Sequence, residues 1–183
     1  MDMLTAYADA VRRNQHRVEA VKPDQLNDPT PCAEWDVRTL VDHIVGGYQM
    51  FATALGTSPP PSASADLPAA HRTAGDAAVS AFGRPDAMHQ TVVLPLGEVP
   101  GQVALGLALT DAVVHGWDLA TATGQDTAID EALAAALLAG AQGSVGADMR
   151  QPDGAMPVFA APVAVGPDRP SGDHLIGFLG RQP

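Results

Sequence analysis

Positive charge is scarce in this chain. Its 183 residues include 10 Lys and Arg against 21 Asp and Glu, for a formal net charge of −11 at pH 7. A nucleic-acid partner needs Lys and Arg to meet its phosphates, so that class is excluded. The same shortage argues against an anionic membrane surface. The acidic excess itself reads as a solubility device. Aromatic residues make up only 4%, so the core must be built from Ala, Val and Leu. Such small side chains suit close helix packing. Cysteine is reduced to Cys32, which excludes an intrachain disulfide and fits a reducing compartment. Long hydrophobic runs are missing too. The apolar stretches are interrupted by Asp or His, so no membrane span is expected. The opening M-D-M-L-T-A-Y-A-D-A-V-R-R has no apolar core of a signal peptide, and the expected location is the cytoplasm. No G-x-S-x-G, P-loop or G-x-G-x-x-G is present, which removes sequence support for a serine hydrolase or a nucleotide-binding protein.

What is there is a helical pattern. Hydrophobic residues make up 46%, enough for one domain with a core. Leu4, Tyr7, Ala8, Val11 and Val18 predict an amphipathic helix over 2–20, closed by Pro23. A loop over 21–34 follows. Asp36 is a plausible N-cap for a second helix reaching Leu55, striped by Val37, Leu40, Val41, Ile44, Tyr48 and Phe51. Residues 57–64 read as a proline-rich loop, and 66–82 as a weaker helix exposed along one side. Residues 90–100 read as a short strand and turn or an extended crossover, with Pro95 arguing against a central strand. A buried helix is expected over 101–123, stopped by Gly124, and an alanine-rich one over 130–141. The sum is a mainly all-α helix bundle at 1–145. The Pro/Gly-rich residues 146–183 read as an arm packed on that bundle, with one extended apolar run and the short amphipathic end H-L-I-G-F-L-G-R. Bundles with an apolar outer strip often dimerise, so a homodimer is among the expected states.

The helix over 101–123 carries the chemistry. Between Gly101 and Gly124 only Asp111, His115 and Asp118 are ionisable. At about 100° per residue, His115 lies about 40° from Asp111 and Asp118 about 20° to its other side. All three share one face of an otherwise apolar helix. Burying such a trio is costly without a partner. Asp111 and His115 have the i, i+4 spacing by which one helix face presents two ligands to zinc. His43, mid-helix beside an apolar stripe, is the best third ligand. Two His and one carboxylate would leave open positions on a first-row metal. The plainer alternative is a hydrogen-bonded Asp–His pair with no ion. Asp118 reads as a group orienting His115, as a fourth ligand, or as a base. Trp117 reads as a core anchor. His16 and His89 read as solvated, His71 as the start of an exposed helix, and His174 as part of the tail. Cys32 precedes a helix N-terminus, where a thiolate is favoured, but has no His or Lys beside it in sequence, so packing is the simpler role.

Two segments, P-T-P-C-A-E-W-D-V-R-T-L-V-D-H-I-V-G-G and D-A-V-V-H-G-W-D-L-A-T-A-T-G, together resemble actinobacterial metal-binding proteins related to mycothiol-dependent maleylpyruvate isomerase, within the DinB/YfiT-like superfamily. The ending H-L-I-G-F-L-G-R-Q-P is similar to that of single-domain members. The resemblance implies a DinB-like four-helix bundle holding a divalent metal, usually zinc or nickel. Its ligand pattern, a His in the second helix and an acid-x-x-x-His pair in a later one, falls on His43, Asp111 and His115. It differs from the isomerase in having Asp111 in place of Glu and in lacking that enzyme's separate C-terminal domain. The function it implies is a thiol-dependent transferase or isomerase, using mycothiol on a small electrophilic substrate. The alternatives are a metal-dependent hydrolase or lyase using water, and a non-catalytic metal- or ligand-binding accessory protein.

Overall fold

A computed structural model describes residues 2–33, 35–58, 66–95, 97–146, 149–150 and 159–183. The proline-rich loop lies outside them from Pro59 onward, as does the start of the extended run in the tail. The described chain forms two compact units, Met1–Thr127 and Ala128–Pro183.

The first unit is a four-helix bundle. Its helices are α1 (Met3–Glu19), α2 (Val37–Ala54), α3 (Leu67–Phe82) and α4 (Gly101–Thr123). Carboxylates start three of them. Asp2 accepts from the Leu4 N–H, Asp36 from Thr39 and Asp66 from Ala69, each satisfying an orphan donor of the first turn. Gly124 ends α4 in the left-handed conformation at φ 69°, where a Cβ would be strained. α1 and α2 each pack against both α3 and α4, so the four helices close a ring around one core.

That core is short of aromatics and gathers most of them in one place. Tyr7 meets Tyr48 and Phe82 edge-on, with centroids 6.4 and 5.4 Å apart. Elsewhere Leu40, Ile44, Leu55, Leu105 and Leu109 are fully buried. Small residues let the backbones approach. A Cβ on Gly75 would stand 2.6 Å from Val11, and one on Gly116 would strike Asn14 and Arg17. The buried Asn14 amide donates to the Ala112 carbonyl at 2.7 Å, tying α1 to the middle of α4.

The expected extended segment is an antiparallel hairpin of β1 (Thr91–Leu94) and β2 (Gly97–Pro100), with Thr91 opposite Pro100 and Leu94 opposite Gly97. Pro95 falls between the strands, where its missing N–H breaks no ladder. The helix α4 is long and apolar enough to cross a membrane, with a mean hydropathy of 1.2, but 72% of that window is buried inside the protein. That is the pattern of a core helix. The second unit pairs α5 (Glu131–Ser144) with α6 (Ser171–Phe178). The Ser171 hydroxyl donates to the Glu131 carboxylate at 2.6 Å, and the Arg150 guanidinium lies 4.7 Å over the Phe178 ring.

Candidate metal centre

His43 comes from the middle of α2, and Asp111 and His115 from successive turns of α4. Because α2 and α4 pack together, the three side chains meet. One donor atom from each lies within 4.8 Å of the other two. His115 Nε2 is 3.5 Å from Asp111 Oδ1, and His43 Nε2 is 3.9 Å from the same oxygen. Both separations exceed an ordinary N–H···O bond of about 2.7–3.2 Å. They are close to the ~3.4 Å expected between two N/O ligands of one tetrahedral zinc ion. The donor set fits a divalent cation in both chemistry and spacing.

The group is graded in exposure. His43 is 40% exposed, Asp111 28% and His115 12%. The site therefore opens to solvent on the His43 side. Gly47, one helical turn after His43, faces Asp111; a Cβ there would stand 3.3 Å from Oδ2. Trp35, from the loop before α2, lies against both rings, 4.5 Å from His43 and 6.0 Å from His115 between centroids. The two imidazoles meet edge-on at 4.7 Å.

Behind His115 lies a further group of polar atoms. Asp118 is fully buried, and its Oδ2 accepts from His115 Nδ1 at 3.0 Å. This bond fixes the tautomer and turns Nε2 toward Asp111. The Cys32 thiol donates to the same oxygen at 3.1 Å. Burial works against the His115 imidazolium, but the Asp111 charge and the bonds to Asp118 and Cys32 outweigh it, and His115 is pushed up to about 10. The pocket thus favours positive charge at this point before any ion is considered.

Trp35 was not legible as a site residue, and Cys32, whose simpler role was packing, has its sulfur beside His115 and Asp118. Both sit on an irregular loop held by local bonds: the Cys32 N–H donates to Thr30 Oγ1, and the Trp35 N–H to the Cys32 carbonyl. Only the fold places that loop against His115 and Asp118, eighty or more positions later in the chain. His71 corrects the expectation of an exposed helix start. It is fully buried on α3, with Nδ1 2.8 Å from Gln15 Oε1 and its ring edge-on to Tyr48. It lies outside the cluster. The Trp117 side chain is buried, as a core anchor should be.

The comparisons with known proteins agree with this layout. Residues 7–120 match the family described as the mycothiol maleylpyruvate isomerase N-terminal domain. Two uncharacterized proteins of Mycobacterium tuberculosis, from strains CDC 1551 / Oshkosh and H37Rv, are each 42% identical over 182 residues, covering 99% of this chain and 98% of theirs. No solved structure matches. The matched segment runs from α1 nearly to the end of α4 and so contains the whole bundle with its cluster; the chain belongs to the mycothiol maleylpyruvate isomerase N-terminal domain family.

Proposed function

We propose that this protein holds one divalent cation, zinc or nickel, on His43, Asp111 and His115. It would use that ion with a low-molecular-weight thiol such as mycothiol, in a transferase or isomerase reaction on a small electrophile in the cytoplasm. The observation that carries this reading is the convergence of three donors from two helices at ligand-like spacing, open on one side. A divalent ion there supplies positive charge that favours the deprotonated form of a neighbouring thiol or water. The chain's own residues do the rest. Asp118 holds the His115 ring in place through Nδ1. Trp35 lies against both histidines on one side. The exposed edge of His43 is the side from which thiol and electrophile would enter. The family description, which names mycothiol, supports the choice of thiol.

The reading in which Asp118 acts as a base for water is disfavoured by geometry. Its carboxylate is fully buried and bonded to both His115 and Cys32, which suits orientation better than proton exchange with solvent. Elemental analysis of the purified protein beside His115→Ala tests the metal. About one equivalent should be present in the first and absent in the second. No metal in either, after loading with zinc or nickel, would overturn the proposal. Turnover of a model aryl halide with and without thiol then tests the reaction; a rate independent of thiol would move the protein to the hydrolase or lyase class. No turnover at all would make it a metal-binding accessory protein.

A further inference from the structure

His115 has two faces, and the second carries a donor set of its own. Its Nδ1, the Cys32 sulfur and Asp118 Oδ2 form a triangle with edges of 3.0, 3.1 and 3.8 Å. One thiolate, one imidazole and one carboxylate around a tetrahedral zinc ion would stand about 3.3–3.6 Å apart, so each edge is within about half an ångström of that geometry. The front cluster uses the opposite ring nitrogen and different carboxylate and histidine partners. We propose that Cys32, His115 Nδ1 and Asp118 form a second cation site, selective for thiophilic divalent ions, back to back with the first.

Three features support the assignment. The set contains a sulfur, and soft donors select zinc and cadmium over magnesium or calcium. Asp118 is fully buried, so a cation held there meets a carboxylate that water does not screen. Cys32 is held from its own loop by the Thr30 and Trp35 bonds, so its sulfur is already positioned and little ordering is needed on binding. The protons now on the thiol and on Nδ1 leave to solvent when the ion enters. With the front site empty, His115 serves as a neutral imidazole. Filling both sites would require the second ring proton to leave to solvent as well, so whichever ion enters second would bind more weakly than the first. The rear site does not depend on His43 or Asp111, so it stands or falls separately from the proposed function.

The probe is cadmium alone, added to metal-free full-length protein. Cadmium bound to thiolate absorbs in the near ultraviolet, and Cys32 is the chain's single cysteine. The wild type should bind two equivalents and develop the band. His43→Ala should lose one equivalent and keep the band. Cys32→Ser, nearly isosteric, should lose the band and keep one equivalent. Asp118→Asn should keep a band but need at least tenfold more cadmium to develop it. Saturating cadmium should also protect Cys32 from a thiol-specific alkylating reagent in the wild type and in His43→Ala. No band in the wild type, or alkylation at an unchanged rate, would overturn the rear site while leaving the front one intact. A band abolished by His43→Ala would assign the sulfur to the front ion and equally overturn a separate site.

Discussion

Two buried histidines of the bundle make opposite choices. His71 on α3 is fully enclosed, and burial pushes it down to about 4; the carboxylate of Glu19 is too weakly placed to reverse this. His115 on α4 is nearly as enclosed and is pushed up to about 10. Depth does not separate them; their neighbours do. His71 has an uncharged amide at Nδ1 and the edge of Tyr48 against its ring, and its Nε2 has no hydrogen-bond partner among the described residues. His115 has a carboxylate at each nitrogen. Burial by itself neutralises an imidazole, whereas carboxylates on both sides create a place that holds positive charge. A proton can meet that demand, and so can a metal ion.

The largest effect should come from deleting the ring that the carboxylates surround. In metal-free protein near pH 7, His115→Ala removes the imidazolium that faces the buried Asp118 carboxylate. Removing one partner of a buried ion pair costs about 3–5 kcal/mol. Urea denaturation should show a loss of that size. A loss below about 1 kcal/mol would mean that His115 is a neutral packing residue like His71, and the contrast would collapse.

The next effect belongs to His71 and to acid. Its folded value is depressed below the unfolded value of about 6.5, so the unfolded chain binds the extra proton first as pH falls. Stability from the neutral ring is therefore complete above about pH 6.5 and is lost progressively toward pH 4. The shift from 6.5 to about 4 corresponds to something on the order of 3 kcal/mol. The difference in unfolding free energy between pH 7 and pH 4 should be smaller by that amount in His71→Gln than in the wild type. An unchanged difference would show that the ring is already charged in the folded state.

The contrast also marks what could be read from sequence. Asp111, His115 and Asp118 stood out because a buried apolar helix has no other reason to carry three ionisable residues on one face. Asp36 and Gly124 announced the start of α2 and the end of α4 through capping chemistry, and the structure bears both out. Pro95 argued against a central strand and left a strand and turn or an extended crossover open; the structure has the strand and turn. His71 was misread because the helix over 66–82 reads as a weak one exposed along one side. Its burial depends on Gly75 letting α1 come close and on Gln15, fifty-six positions away. Trp35 was invisible as a site residue, and Cys32 readable only as a loop thiol before a helix, for the same reason. Nothing local marks a loop residue that meets its partners only when helices distant in sequence pack together.

A third substitution would turn one histidine into the other. Gln15→Glu places a carboxylate where His71 Nδ1 now meets an amide. An adjacent opposite charge raises a histidine by about 1–3 units. The His71 proton resonances should therefore titrate that much higher than in the wild type, and the acid instability should shrink with them. A value that stays near 4 would mean that desolvation, rather than the identity of the neighbour, sets the difference between the two sites.

The smallest change in stability should come from Asp111→Asn. Asp111 is 28% exposed and stands 3.5 Å from His115 Nε2, so its pairing is looser and better solvated than that of Asp118. Exposed pairs contribute about 0–1 kcal/mol; Asp111 is also the foremost charge holding the largely enclosed His115 up, so the metal-free variant should lose about 1 kcal/mol, well short of the loss on deleting His115. Its cation binding should nevertheless fall sharply, because an amide oxygen is a far poorer ligand than a carboxylate for zinc or nickel. The two measurements together divide the surroundings of His115 by role. A large loss of stability would make Asp111 a structural partner like Asp118. Nearly intact stability with lost metal would make Asp111 the residue kept for the ion, as its place at the open side of the cluster implies.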